Sequence, residues 1–283
     1  MKTIVAVTDF SQRSGVALRR AAAIATGAGA RLLLVHAVDD GLPRHILDHR
    51  VAEAEQTIGQ EAATVGGVNV SCEVVVGDVF WALHRAATQA HADLIVAGDH
   101  RRSPLRDLFR DTTVERLIRV SAVPVLIVRI DGAPYRHALV GVESDEGPEL
   151  LHVLARFGTA APGRATLLHA VSAPAEGLLH YAGVEREIRD DYRARIAQEA
   201  RARITAGLKG HRMPLDIRIV DAPPRLAIAD LVESAGCDLV AVSSHARRAV
   251  ARGLLGSVSS ELIRHGSTDV LIVPRIVSRS RGL

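Results

Sequence analysis

The stretch ADLIVAGDHRR (residues 92–102) returns as CDLVAVSSHAR (residues 237–247), and the segment downstream of each returns with it. TTVERLIRVSAVPVLIVR (112–129) lies against SVSSELIRHGSTDVLIVP (257–274). Asp93 answers to Asp238, an offset of 145 residues, and on that offset His100 falls on His245, Arg102 on Arg247, Ile118 on Ile263 and Val125 on Val270. Solenoid units repeat every roughly 20–50 residues, so a repeat this long marks whole domains. The chain reads as a tandem duplication, with domains expected at 1–130 and 136–277. Its length of 283 residues agrees with two domains.

Each copy alternates short apolar runs with longer amphipathic segments. In the first, the runs are TIVAVT (3–8), RLLLVHAV (31–38), VNVSCEVVV (68–76), DLIVAG (93–98) and PVLIV (124–128). They are rich in β-branched residues and nearly unbroken, as in strands buried on both faces of a parallel sheet. Helical periodicity fills the gaps at 11–28, 43–65, 79–90 and 112–121. Gly27, Gly29, Gly66 and Gly67 stand where the first two helices should stop. The second copy repeats the order with HALVGV (137–142), ATLLHAV (165–171), LDIRIV (215–220), DLVAVS (238–243) and DVLIV (269–273). Its second helical region, 175–209, is the longest and most charged, so much of it should face solvent. IDGAPYRH (130–137) holds Gly and Pro without a period and reads as the linker.

The expected fold class is therefore α/β: two tandem doubly wound domains, each a five-stranded parallel sheet with helices on both faces. Ligands of such sheets bind outside the carboxyl ends of the strands, where strand order reverses. That directs attention to the ends of the first and fourth strands of each copy.

Composition narrows the function classes. A formal net charge of +3 arises from arginines scattered among Asp and Glu. Nucleic-acid binding wants a concentrated cationic face, so none is expected. Cys72 and Cys237 do not share the repeat register, and both read as small buried hydrophobes in a reducing compartment. Met1 leads straight into the first strand, with no signal peptide apparent. The apolar stretch 21–38 is broken by Gly27, Gly29 and Arg31, short of the roughly 20 apolar residues of a membrane span. A soluble cytoplasmic protein with no membrane association is the expectation.

At the strand ends, VAVTDFSQRS (5–14), the glycines after the fourth strand and VERLIRVSAVPVLIV (114–128) together resemble the universal stress protein family, in two copies covering essentially the whole chain. The resemblance implies that Asp9 stands where nucleotide-binding members contact adenine or ribose. It also implies a phosphate loop G-x-x-G-x9-G-(S/T) after the fourth strand, its last Gly-Ser opening a helix whose amides receive the phosphates. Neither copy keeps that loop whole. The first retains Gly98 and Thr112 but carries Arg101 and Asp111 at the second and third glycines. A carboxylate at Asp111 would fill the anion site itself, while Arg101 and Arg102 would offset it as a cationic clamp. The second copy has Ser243 and Ala246 for the first two glycines but retains Gly256 and Ser257, with Glu143, one methylene longer, answering Asp9. Arg247, Arg248 and Arg252 offer positive charge there. His245, like His100, follows the fourth strand beside the loop, where it either contacts a ligand or orders the loop.

His36 and His169 end the second strand of each copy, in LVHAV and LLHAV, and are expected to bond neighbouring backbone. His45 and His49 face one side of a helix four residues apart, a half-site for zinc with Asp9, His84 or His91 as conceivable third ligands. There is no nucleophile elbow and no Walker-type lysine motif, and Lys2 and Lys209 are the only lysines. No catalytic residues and no enzymatic activity are expected.

In the sheet of order 3-2-1-4-5 that the resemblance implies for each domain, the last strands, 124–128 and 269–273, would be exposed edges, which invite pairing. The resemblance implies an intramolecular pseudo-dimer of the two halves through this element, and a homodimer through another face. The function it implies is a cytoplasmic stress-response protein binding ATP or another adenine nucleotide at one degenerate loop, with no cofactor required. Two rivals stand beside it: a non-nucleotide-binding scaffold with vestigial sites, and a metal-binding protein with weak hydrolytic activity.

Overall fold

A computed structural model describes residues 1–99, 113–132, 134–143, 146–171, 185–208, 213–244 and 256–274. In the first half it runs β1 (Thr3–Thr8), α1 (Gln12–Ala28), β2 (Arg31–Val38), α2 (Arg44–Ala62), β3 (Val70–Val76), α3 (Val79–Gln89), β4 (Leu94–Gly98), α4 (Thr113–Val120) and β5 (Val125–Val128). The second half continues with β6 (His137–Gly141), α5 (Gly147–Ala155), a 3-10 turn (Gly158–Ala160), β7 (Arg164–Ala170), α6 (Arg186–Gly207), β8 (Leu215–Val220), α7 (Pro224–Ala235), β9 (Leu239–Ser243), α8 (Ser257–His265) and β10 (Asp269–Val273). The local chemistry accounts for these limits. Ser11 caps α1 by accepting from the Ser14 amide, and Gly29 ends it with φ 62°. Asp78 caps α3 through the Trp81 amide.

The strands form one ten-stranded sheet in the order β3-β2-β1-β4-β5-β10-β9-β6-β7-β8. Each half has the order 3-2-1-4-5, all parallel, and the halves join where β5 and β10 pair antiparallel, Leu126 opposite Leu271. The two predicted edges thus cover one another. Alternate strand residues go to opposite faces: Ile4, Leu34 and Leu271 to one core, Val5, Ile95 and Ile272 to the other. Both cores run across the seam and include residues of both halves, which is why the strands read as unbroken apolar runs.

The repeat marker has a structural meaning. Asp93 accepts from the Lys2 and Thr3 amides, and Asp238 from the Arg136 and His137 amides. Each carboxylate ties the start of its half's first strand to the fourth. Burial pushes the Asp93 carboxyl up, but those amides and the Arg156 guanidinium outweigh it and hold it below the ordinary value.

Several expectations need correction. Gly27 does not stop α1 but lies within it, and its place is one only glycine fits, since a Cβ there would meet the Ala160 nitrogen at 2.7 Å and the Phe157 oxygen at 2.8 Å. Its backbone partner, Gly158, has φ 64°, so α1 touches the second half backbone to backbone. Cys72 is exposed on β3 rather than buried; Cys237 is buried, and both are free thiols. Within the linker segment Tyr135 is buried, and His137 already opens β6. Asp269, at the first residue of β10 and completely buried, accepts from the Arg129 and Ile130 amides (2.8 and 2.9 Å) and the Tyr135 hydroxyl (2.6 Å). The buried Arg20 guanidinium lies 3.4 Å from the same carboxylate and stacks over the Tyr135 ring. Burial and the Asp269 charge hold the Tyr135 hydroxyl well above its ordinary pKa, so it remains a donor.

Candidate functional site

Each half has a cavity where strand order reverses. The first, about 230 Å³, is lined among others by Thr8, Asp9, His36, Gly98, Asp99 and Thr113, from the ends of β1, β2 and β4 and the start of α4. The second, about 330 Å³, is lined by Val142, Glu143, Glu146, Ser243, Gly256 and Ser257, with apolar walls from Leu168, Ala170, Ile228 and Val242. Fold symmetry therefore extends to the position of the cavities.

The first cavity is largely built from groups already engaged with the protein. Asp9 Oδ1 accepts from the Ser11 amide at 3.0 Å. Burial works to raise the Asp9 carboxyl, yet hydrogen bonds from Ser11 and Ser14 prevail and keep it below the ordinary carboxylate value. The Thr8 hydroxyl donates to Glu61 Oε2 (2.7 Å), and it also bonds the Ser14 hydroxyl and accepts from the Phe10 amide. Burial pushes the Glu61 carboxyl up, with Asp9 adding to the effect and Thr8 and His36 opposing it. Gly98, retained from the phosphate loop, has a packing reason to be glycine. A Cβ there would sit 2.8 Å from the Arg13 oxygen and 3.0 Å from the Ser14 nitrogen, in the first turn of α1. Its presence is therefore no testimony to a ligand.

The second cavity is bordered by the start of α8. Gly256 is the N-cap of α8, with extended backbone and no side-chain cap hydrogen bond, and Ser257 is the first helical residue. The Gly256 amide donates to the Ser244 oxygen, and the buried Ser259 hydroxyl donates to the Ser243 oxygen. These bonds fix the helix start to the end of β9. The first amides of any helix lack intrahelical partners and carry its positive end; here Gly256, Ser257, Val258 and Ser259 all line the cavity. Glu146 turns in to accept from the Glu143 amide at 2.7 Å.

Of the sequence candidates, Asp9 and Gly98 meet in the first cavity, and Glu143, Ser243, Gly256 and Ser257 in the second. Arg101, Thr112 and His245 lie outside the described residues, as do Asp111, Ala246 and the three loop arginines of the second copy. His36 and His169 bond backbone as expected, each Nδ1 2.9 Å from a strand-end oxygen, of Thr8 and Val142. His45 and His49 are exposed on α2, and among the described residues no three of His, Cys, Asp and Glu gather as a metal would need. Sequence reasoning missed Asp99, Glu146 and Glu61. Asp99 stands next to a recognised glycine and was within reach; Glu61 meets Thr8 only through the packing of α2, which no local pattern announces.

A family model described as the universal stress protein family matches residues 1–129 and 134–274. A universal stress protein of Thermus aquaticus is 31% identical over 135 residues, 45% of this chain and 98% of the relative. One from Methanocaldococcus jannaschii is 25% identical over 154 residues, 45% of this chain and 94% of the relative. A universal stress protein structure from Archaeoglobus fulgidus shares the fold over both halves, with a TM-score of 0.69 at 17% identity, covering 97% of this chain and 98% of that one.

Proposed function

Because the chain belongs to the universal stress protein family, with one family domain in each half, we propose that it is a non-catalytic stress-response protein that binds one adenine nucleotide, in the second cavity. The observation that carries this reading is the start of α8, where Gly256 as N-cap and Ser257 as first helical residue line the larger of the two cavities. Phosphate oxygens would accept from its first amides and the Ser257 hydroxyl, at the positive end of the helix. The apolar walls would hold the base, and Glu143 would accept from ribose hydroxyls, as Asp9 does in the family pattern. On this reading the first half is mainly a structural partner. The protein works in the cytoplasm, and two chains associate as a homodimer.

A vestigial scaffold is the competing reading, and Glu143 and Glu146 favour it, since carboxylates beside a polyphosphate repel it. The test is mass spectrometry of small molecules released from purified protein, with calorimetric titration of ATP. A copurifying adenine nucleotide or saturable ATP binding supports the proposal. Neither, up to millimolar ATP, sinks it in favour of the scaffold.

A further inference from the structure

We infer that the two cavities are coupled, through a strap from the wall of the first to the helix that opens onto the second; the functional part of this inference rests on the second cavity being the ligand site. The strap is Arg129, at the end of β5. Its side chain is 8% exposed and its Nε lies 3.2 Å from Oδ2 of Asp99, a residue lining the first cavity. The same guanidinium donates to the Ile263 oxygen in the last turn of α8 (2.6 Å) and to the Thr268 oxygen just before β10 (3.0 Å). Gly266 makes room for it, since a Cβ there would lie 2.8 Å from Nη1. A cation in this place also complements the negative end of the helix. The Arg129 backbone is held separately by Asp269, so only its side chain is left to respond.

From Ile263 the helix runs back to Ser257 in the second cavity. Nine helical residues make a stiff rod of about 13 Å. A second contact runs alongside: Arg264 of α8 lies 3.3 Å from the buried Glu115 of α4, whose Thr113 and Val114 line the first cavity. Both of these polar contacts of α8 therefore reach residues beside the first cavity. A seam-sealing ion pair would need no access from a cavity, whereas the Asp99 side chain is 37% exposed there. A cationic or hydrogen-donating ligand that takes its carboxylate draws it away from Arg129 and loosens the end of α8. On the repeat offset Asp99 and Arg129 fall on Ser244 and Pro274, so the second half has no counterpart of this strap.

The test neutralises Asp99 in the intact chain. Asp99→Asn should change the calorimetric ATP dissociation constant about fivefold, while Asp131→Asn, at an exposed ion pair with Arg19 nearby, should leave it within about twofold. In an Arg129→Gln background Asp99→Asn should have no further effect. Hydrogen exchange gives a reading that needs no ligand: Asp99→Asn should speed exchange of the α8 amides about fivefold with α7 as the unchanged reference. If wild-type protein binds no ATP, the functional proposal fails, and exchange alone decides the strap. Unchanged α8 exchange, unchanged ATP affinity in Asp99→Asn, or an equal effect with and without Arg129 overturns the coupling.

Discussion

Replacing Asp269 by Asn keeps the shape of the most buried carboxylate at the seam and removes its charge. In the native chain that carboxylate accepts two amides and a phenol, and faces a guanidinium that is itself 5% exposed. Asparagine still accepts through one oxygen but withdraws the buried carboxylate charge that faces Arg20. Removing one partner of a buried ion pair costs about 3–5 kcal/mol. Arg20 keeps the Ile130 oxygen and the face of the Tyr135 ring, which argues for the lower end, about 3 kcal/mol. At roughly 2–4 °C per kcal/mol for a fold of this size, the melting temperature should fall by about 6–12 °C. Urea unfolding monitored by far-ultraviolet circular dichroism supplies the free energy, and a thermal scan supplies the midpoint. Arg20→Met in the same chain removes the cation and should recover part of the loss. A loss under about 1 kcal/mol in Asp269→Asn, or additive losses in the double variant, would refute the view that this cluster clasps the halves together.

Gly98→Ala forces its Cβ against the Arg13 and Ser14 backbone and should cost about 1–3 kcal/mol, whereas Ser243→Gly at the equivalent strand end should cost under about 1 kcal/mol; chemical denaturation compares them. Asp93 has its carboxyl below the unfolded value, so its stabilisation is complete above about pH 4 and is lost as pH falls through the lower folded value. The stability gap between wild type and Asp93→Asn should therefore shrink as denaturation is repeated from pH 6 down to acid. A gap that does not change with pH would show that the Asp93 charge contributes nothing.

The parts of the fold legible in the sequence are those with a periodic or repeated cause. Runs such as RLLLVHAV and DVLIV mark strands to the residue because burial on both faces leaves few polar positions. The alternation of strand and helix foretells a parallel sheet in each half, and the family resemblance foretells the strand order and the pairing of β5 with β10. What was not legible depends on contacts between distant segments. Gly27 looks like a helix stop, yet it faces Gly158 across the seam, 131 positions away in the numbering. Asp269 replaces Pro124 of the other copy, a difference whose use emerges only when the linker folds back onto it. At the site, the described motif residues line the two cavities, Asp9 and Gly98 in the first and Glu143, Ser243, Gly256 and Ser257 in the second. The retained Gly98, however, answers to α1 packing, and the Asp99–Arg129 strap joins residues that no motif relates.

The central claim is that symmetry of fold carries asymmetry of binding, and calorimetric stoichiometry tests it most directly. Wild-type protein should take up about one ATP per chain, and Gly256→Asp should take up none. Aspartate is at least as good an N-cap as glycine, so this variant keeps α8 while placing an anion where the phosphate would go. One site lost to Gly256→Asp is the predicted result; two sites per chain, or unchanged affinity in the variant, would contradict it.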